Sequence, residues 1–362
     1  MNKLGFGFLR FPMDGETVRY DILQPMVDAF FAAGGNYVDT CYTYLDGKSE
    51  EAIRKTVVER YPRQRYLLAN KLPGYQVKVP EDMQRLFEES LARCGVDYFD
   101  VYMLHWLNQK HYAIAEQFDQ FAFLRKLKAE GKAKRIGFSF HDTAQLLDEI
   151  LTKHPEVDVV LLQINYLDWE SEGVQSRKCY ETALRHGKSV VVMEPVKGGT
   201  LANVPQKAAK LLKKLDPERS PAFHALRFVQ SLPGVEVVLS GMGSVEQMQE
   251  NLLPVEPMTD EERVILHRAA MAIDEATAIG CTGCGYCLRN CPEKIFISRY
   301  FKLYNEARQK PSQAWKLKPA YVEASQNRGK ASDCVGCGAC ERSCPQMLPI
   351  RDYLAKVKEV LE

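Results

Sequence analysis

From residue 1 to about residue 275, short apolar runs alternate with longer segments whose apolar positions recur every three to four residues. The runs are LGFGF (4–8), NYVDT (36–40), YLLANKL (66–72), DVYMLH (100–105), RIGFS (135–139), VVLLQIN (159–165), SVVVMEP (189–195) and VEVVLSG (235–241). Nearly continuous apolar runs of this length are the mark of strands buried on both faces. Between them, EDMQRLFEESLARCG sets Met83, Leu86, Phe87, Leu91 and Cys94 on one helix face. Gly34, Gly95, Gly131 and Gly187 follow such helical segments, where a left-handed residue closes a helix. Strand and helix alternating eight times predict an α/β fold, a closed parallel (β/α)8 TIM barrel. An open doubly wound sheet would carry a glycine fingerprint for a dinucleotide, and GFGFLR lacks its third glycine.

Near residue 275 the pattern changes to cysteine and glycine clusters around a basic connector, so we expect two domains. These are a barrel over 1–275 and a small, mainly helical iron-sulfur domain over 276–362. Residues 294–330 hold nine Lys or Arg against Glu306 and Glu323. That run reads as a solvated face offsetting nearby negative charge, or as a docking surface for an acidic electron carrier such as ferredoxin or flavodoxin. The chain as a whole carries a formal net charge of +1, with 26% charged and 46% hydrophobic residues. This balance gives no pull toward nucleic acid or anionic lipid. The opening MNKLGFGFLRFP does not read as a signal peptide, and no apolar run nears the roughly 18 residues of a membrane span. A cytoplasmic protein is expected.

Eight of the 11 cysteines fall between 281 and 344. Cys281, Cys284, Cys287 and Cys291 precede Pro292, and Cys334, Cys337, Cys340 and Cys344 precede Pro345. Both read C-x2-C-x2-C-x3-C-P, the run that binds a [4Fe-4S] cluster. Gly283, Gly285, Gly336 and Gly338 let backbone amides approach the sulfurs. Structural zinc prefers two separated CxxC pairs, and a reducing compartment disfavours disulfides. The motifs resemble those of two-cluster ferredoxins, in which the fourth cysteine serves the other cluster. That resemblance implies Cys281, Cys284, Cys287 and Cys344 on one cluster and Cys334, Cys337, Cys340 and Cys291 on a second.

Functional side chains of such barrels gather at the carboxyl ends of the strands. Asp39, Lys71, His105, Ser139, Gln163, Glu194, Ser240 and Gly241 lie there, with Tyr44 five residues beyond Asp39. An acid, an ammonium and an imidazole on neighbouring strands beside a phenol make a proton-donating site. The motifs LGFGFLR, VDTCYTY, ANKLP, DVYMLHW, GFS, LLQIN, VVVMEPVKGG and LSGMGSVEQMQENL resemble the aldo/keto reductase family over roughly 1–275. The resemblance implies a catalytic tetrad of Asp39, Tyr44, Lys71 and His105. Tyr44 would give a proton as a nicotinamide delivers hydride to an aldehyde or ketone. Lys71, held by Asp39, would make the phenol a stronger acid, and His105 would orient the carbonyl oxygen. Tyr42 is the rival phenol.

Carried over in the same way, Ser139 and Gln163 would face the carboxamide of NADPH or NADH. Ser240, Gly241, Met242, Gly243, Ser244, Gln247, Glu250 and Asn251 would face its adenosine end, where small residues open a helix near Ser244. Gly241 and Gln247 stand where many members have a lysine and an arginine for the 2'-phosphate. Met193 replaces a stacking tyrosine, Phe140 an asparagine, with His141 next. The cluster domain takes the place of the family's carboxyl-terminal substrate loop, so it would cover the barrel mouth and help define the pocket with Trp106 and the loop 107–118. Hydride carries two electrons and a cubane one, so coupling the two calls for an intermediary such as FMN. Three functions stay open: a carbonyl reductase with clusters in electron transfer, a reductase with clusters as a redox-sensing module, and an electron-transfer protein with the barrel as scaffold.

Overall fold

The computed structural model describes residues 3–309 and 311–362, so Lys310 of the basic connector lies outside the described residues. Eight parallel strands close into a barrel: β1 (Leu4–Gly7), β2 (Tyr37–Asp39), β3 (Leu67–Leu72), β4 (Phe99–Leu107), β5 (Ala133–Phe140), β6 (Val159–Gln163), β7 (Ser189–Met193) and β8 (Val235–Ser240). They follow chain order around the barrel, and β1 closes it by pairing with both β2 and β8. Each of the eight apolar runs overlaps one of these strands, and β4 and β5 extend past their runs at both ends. A two-stranded hairpin, Met13–Asp14 with Thr17–Val18, lies outside the barrel and was not expected from the sequence.

The interior is filled by Tyr37, Ala69, Val101, Met103, Val159, Leu161, Val191, Val237 and Leu239. Successive residues of a strand face opposite sides, so positions two further on share the inward direction. Asp39, Lys71, His105 and Gln163 are the residues two beyond Tyr37, Ala69, Met103 and Leu161. The period that fills the core with apolar side chains thus ends, at the carboxyl rim, on polar ones.

Among the helices, α1 (Tyr20–Ala32) and α2 (Glu81–Cys94) cover the barrel, and α2 ends on Gly95 at φ 71°. Its buried face is Met83, Leu86, Phe87, Ser90 and Cys94, with Leu91 only half-buried. A short helix, α3 (Val245–Asn251), follows β8.

By packing, the chain forms two compact units, Met1–Pro195 with Phe223–Met258, and Val196–Ala222 with Thr259–Glu362. The second unit holds α4 (Asp260–Ala276), α5 (Ile297–Gln309) and α6 (Ile350–Leu361), and no strand among its described residues. Helix α4 opens on a reciprocal capping box between Thr259 and Glu262. The unit's core is Ile279, Ile295, Ile297, Tyr300, Phe301, Leu303, Tyr321, Ile350, Leu354 and Val357, gathered around the cysteine loops. No helix among the described residues is long and apolar enough to cross a membrane.

Candidate active site and cysteine cavities

At the rim of the barrel unit, Lys71 donates to Asp39 Oδ1 at 2.6 Å and to the Thr40 carbonyl at 2.8 Å. Both side chains are buried, Lys71 at 0% and Asp39 at 3% exposure. Burial pushes the Asp39 carboxyl upward, opposed by the Lys71 ammonium and its hydrogen bond. The ammonium lies 4.9 Å from the centre of the Tyr44 ring, and Tyr44 meets His105 edge-on with ring centroids 5.9 Å apart. The four side chains therefore form one group.

Tyr44 heads the turn Tyr44–Gly47, in which Leu45 and Asp46 adopt φ 51° and 53°. Non-glycine residues in this left-handed region are strained, and such strain collects at functional sites. Trp106 adds a third, at φ 63°, next to an irregularity in the pairing of β4 with β5. Tyr42 points elsewhere: its phenol donates to Glu89 Oε2 at 2.7 Å, and the Arg93 guanidinium lies 4.2 Å from its ring centre.

His105 is 5% exposed. Burial, helped by Lys71, His141 and His111, holds its imidazole well below the usual range, so the ring is neutral at neutral pH. Above it, Tyr75 stacks on His111 with centroids 5.1 Å apart and meets Trp106 edge-on. Burial and His111 lower the His141 imidazole to about 4.

Ser139 Oγ accepts from the Trp106 backbone at 2.7 Å. Gln163 Nε2 donates to Asp168 Oδ2 at 2.9 Å, which also accepts from Asn165 Nδ2 at 2.8 Å. Asn165 and Asp168, both buried, were not picked out by sequence reasoning. They sit in the loop after β6, where no periodicity flags a side chain, although the LQIN-Y-L-D spacing is that of an Asx turn: Asn165 Oδ1 accepts from Leu167 and Asp168 backbone amides. Glu194 ends its run at φ 56°.

After β8, Asn251 donates to Ser240 Oγ at 3.1 Å, and Ser244 caps α3 by accepting from the Gln247 amide. The Gly243 amide donates to Gln247 Oε1 at 2.8 Å. A Cβ on Gly241 would lie 2.9 Å from Arg10 Cβ, so that position accepts only glycine without a shift. Met242 is buried at 0%, and Glu250 lies on the half-exposed side of α3.

The second unit has two small cavities partly open to solvent. One is lined by Cys281, Cys284, Cys287 and Cys344, with Thr282, Phe301 and Gln346. The other is lined by Cys291, Cys334, Cys337 and Cys340, with Val335, Ile297 and Leu354. Each takes three cysteines from one motif and one from the other. Gly283, Gly285, Gly336 and Gly338 all have positive φ, and the Gly283 amide donates to Cys281 Sγ at 3.4 Å. Burial, with the neighbouring thiols, pushes the Cys340 thiol up to about 11 and Cys287 higher still. Among the described residues, no group of three or more His, Cys, Asp or Glu is gathered so as to hold a metal ion. The sulfurs ring a volume instead, which suits a polynuclear cluster: four thiols around an apolar pocket, with the Gly283 amide turned to Cys281 in the first.

The aldo/keto reductase family profile matches residues 3–266, and a 4Fe-4S dicluster domain profile matches 268–349. An NADH-specific methylglyoxal reductase of Escherichia coli is 24% identical over 303 residues, covering 72% of this chain and 91% of its own. Among solved structures, the holo form of aldo-keto reductase AKR11C1 from Bacillus halodurans aligns with TM-score 0.59 at 25% identity, over 75% of this chain and 92% of that one. An aldo-keto reductase from Klebsiella pneumoniae, solved in complex with NADPH, aligns with TM-score 0.55 at 24% identity, over 74% and 90%. The chain belongs to the aldo/keto reductase family, as an oxidoreductase barrel followed by a 4Fe-4S dicluster domain.

Proposed function

We propose that the barrel reduces a small aldehyde or ketone with NADH or NADPH, and that the second unit carries two [4Fe-4S] clusters for electron transfer. The observation that carries the first part is the buried Asp39 and Lys71 pair at 2.6 Å with Tyr44 and His105 beside it. The nicotinamide, when bound, supplies a hydride to the carbonyl carbon. Tyr44 supplies the proton to the oxygen. Lys71, fixed by Asp39 and the Thr40 carbonyl, sets a positive charge against the Tyr44 ring, and that charge stabilises the phenolate left behind. Neutral His105 donates an N–H to the same oxygen and adds no second charge beside Lys71. Tyr75, Trp106 and His111 wall the approach with aromatic surface, which suits a small, partly apolar substrate.

Ser139 and Gln163 would meet the carboxamide, and Ser240–Ser244 with Gln247, Glu250 and Asn251 the adenosine end. The methylglyoxal reductase's stated preference for NADH fits a site with Gly241 and Gln247 rather than cationic side chains. The eight motif cysteines would hold the clusters, four in each cavity, and these supply one-electron transfer. A basic exposed connector supports docking of an acidic carrier, ferredoxin or flavodoxin. Exchange between a two-electron hydride and one-electron clusters would call for an intermediary such as FMN.

The test is anaerobic, carbonyl-dependent oxidation of NADH and NADPH by the wild type, Tyr44→Phe and Tyr42→Phe. Loss of a general acid lowers kcat by about 100-fold to 10,000-fold. Tyr44→Phe should fall in that range, while Tyr42→Phe changes little. Retained turnover in Tyr44→Phe would overturn the assignment.

A further inference from the structure

Cys41 lies two residues beyond Asp39 and is completely buried. Its backbone carbonyl accepts from the Tyr44 amide at 3.0 Å, at the head of the strained turn. Its Sγ lies 3.1 Å from His105 Nδ1, 3.5 Å from Thr43 Oγ1 and 3.8 Å from the Lys71 carbonyl oxygen. One residue thus touches three members of the tetrad.

A neutral imidazole has one N–H, and which nitrogen bears it is set by the partner of the other. Two arrangements compete. The thiol donates to Nδ1 and His105 carries its hydrogen on Nε2, or Nδ1 carries the hydrogen and points it at sulfur while the thiol proton goes to Thr43 or the Lys71 carbonyl. Sulfur is a weak acceptor, so the second arrangement leaves a buried imidazole N–H poorly satisfied. It also sends the thiol proton over the longer contacts.

We infer that Cys41 is a positioning residue that donates its proton to His105 Nδ1 and fixes the tautomer with hydrogen on Nε2, the nitrogen left to meet a substrate oxygen. Burial pushes the Cys41 thiol up to about 11, so the proton stays on sulfur and available to donate at any working pH. The inference rests on the carbonyl-reductase reading for its consequence, but the tautomer itself is measurable without turnover.

The experiment is long-range proton–nitrogen NMR on 15N-histidine-labelled full-length holoprotein, with His105 assigned by His105→Gln. Wild type should show Nε2 protonated and Nδ1 bare. Cys41→Ala and the better-filling Cys41→Val should lose this preference and lower kcat about tenfold with nucleotide KM unchanged. Cys41→Ser should restore the tautomer and recover most of that kcat. A wild-type spectrum with hydrogen on Nδ1, or an unchanged tautomer in Cys41→Ala and Cys41→Val, would overturn the inference. The expected tautomer in a protein that reduces no carbonyl would leave this inference standing and defeat the catalytic one.

Discussion

Lys71→Met removes the ammonium that Asp39 needs. Met matches the length of the lysine stem, so the loss is chiefly one of charge and two hydrogen bonds, to Asp39 Oδ1 and the Thr40 carbonyl. Asp39 is 3% exposed and its Oδ2 has no hydrogen-bond partner among the described residues, so Lys71 is what keeps the charged form tolerable. The carboxyl then either stays charged without a counter-ion, at a cost of about 3–5 kcal/mol, or takes a proton. Protonation at pH 7 costs about 1.4 kcal/mol for each unit above the ordinary value near 3.9, or roughly 4 kcal/mol. The cheaper route governs, so the penalty at pH 7 is about 3–4 kcal/mol. In the variant the folded Asp39 lies above its unfolded value. Its penalty is therefore absent below about pH 4 and grows as pH rises.

Adding Asp39→Leu replaces both buried charges by apolar groups, which is near neutral when the shape is kept. The double variant should regain most of the stability and none of the activity. The assay is the urea midpoint of the barrel unit, with Trp106 and Trp169 as reporters in a Trp315→Phe background. A loss below about 1 kcal/mol in Lys71→Met, or a double variant no more stable than the single, would refute the buried-pair argument.

Cys344→Ser should remove the same half of the iron as Cys284→Ala, and Cys291→Ser the same half as Cys337→Ala; metal analysis and electron paramagnetic resonance of the singles and pairs decide it, and grouping by motif instead would contradict the cavity lining. His105 is held neutral in the fold, so below about pH 6.5 the unfolded chain takes a proton that the folded one refuses. Stability should fall as pH falls, by about 1.4 kcal/mol per unit from this residue. His105→Gln should flatten the urea-midpoint profile between pH 6.5 and 5 by that amount, and an unchanged slope would show that His105 titrates freely.

The eight strands are legible because a strand buried on both faces leaves a nearly unbroken apolar run, and Asp39, Lys71 and His105 are legible because each lies at or near the end of such a run. The hairpin at Met13–Val18 is not, since two-residue strands carry no period. Asn165 and Asp168 owe their burial to a loop, where alternation gives no guide. Cys41 carries no signal of its own in the sequence, and only the approach of β4 to the end of β2 puts His105 beside it. Spacing alone groups the cysteines four to a motif; the return of the chain between α5 and α6 is what carries Cys344 to the first loop and Cys291 to the second. No signal in the sequence of Val196–Ala222 says which unit it joins, and it packs with the second, where Lys207 pairs with Glu275 at 2.7 Å.

The most direct measurement follows deuterium from nicotinamide labelled at C4 during anaerobic reduction of an aldehyde such as methylglyoxal. A tetrad that only supplies a proton and orients the oxygen requires direct hydride delivery, so one deuterium should appear at the carbinol carbon of the product in the wild type, at a rate that collapses in Tyr44→Phe. Deuterium lost to solvent, with product still formed, would mean that the nicotinamide does not deliver its hydride directly to the carbonyl, and the account of the barrel site would fail.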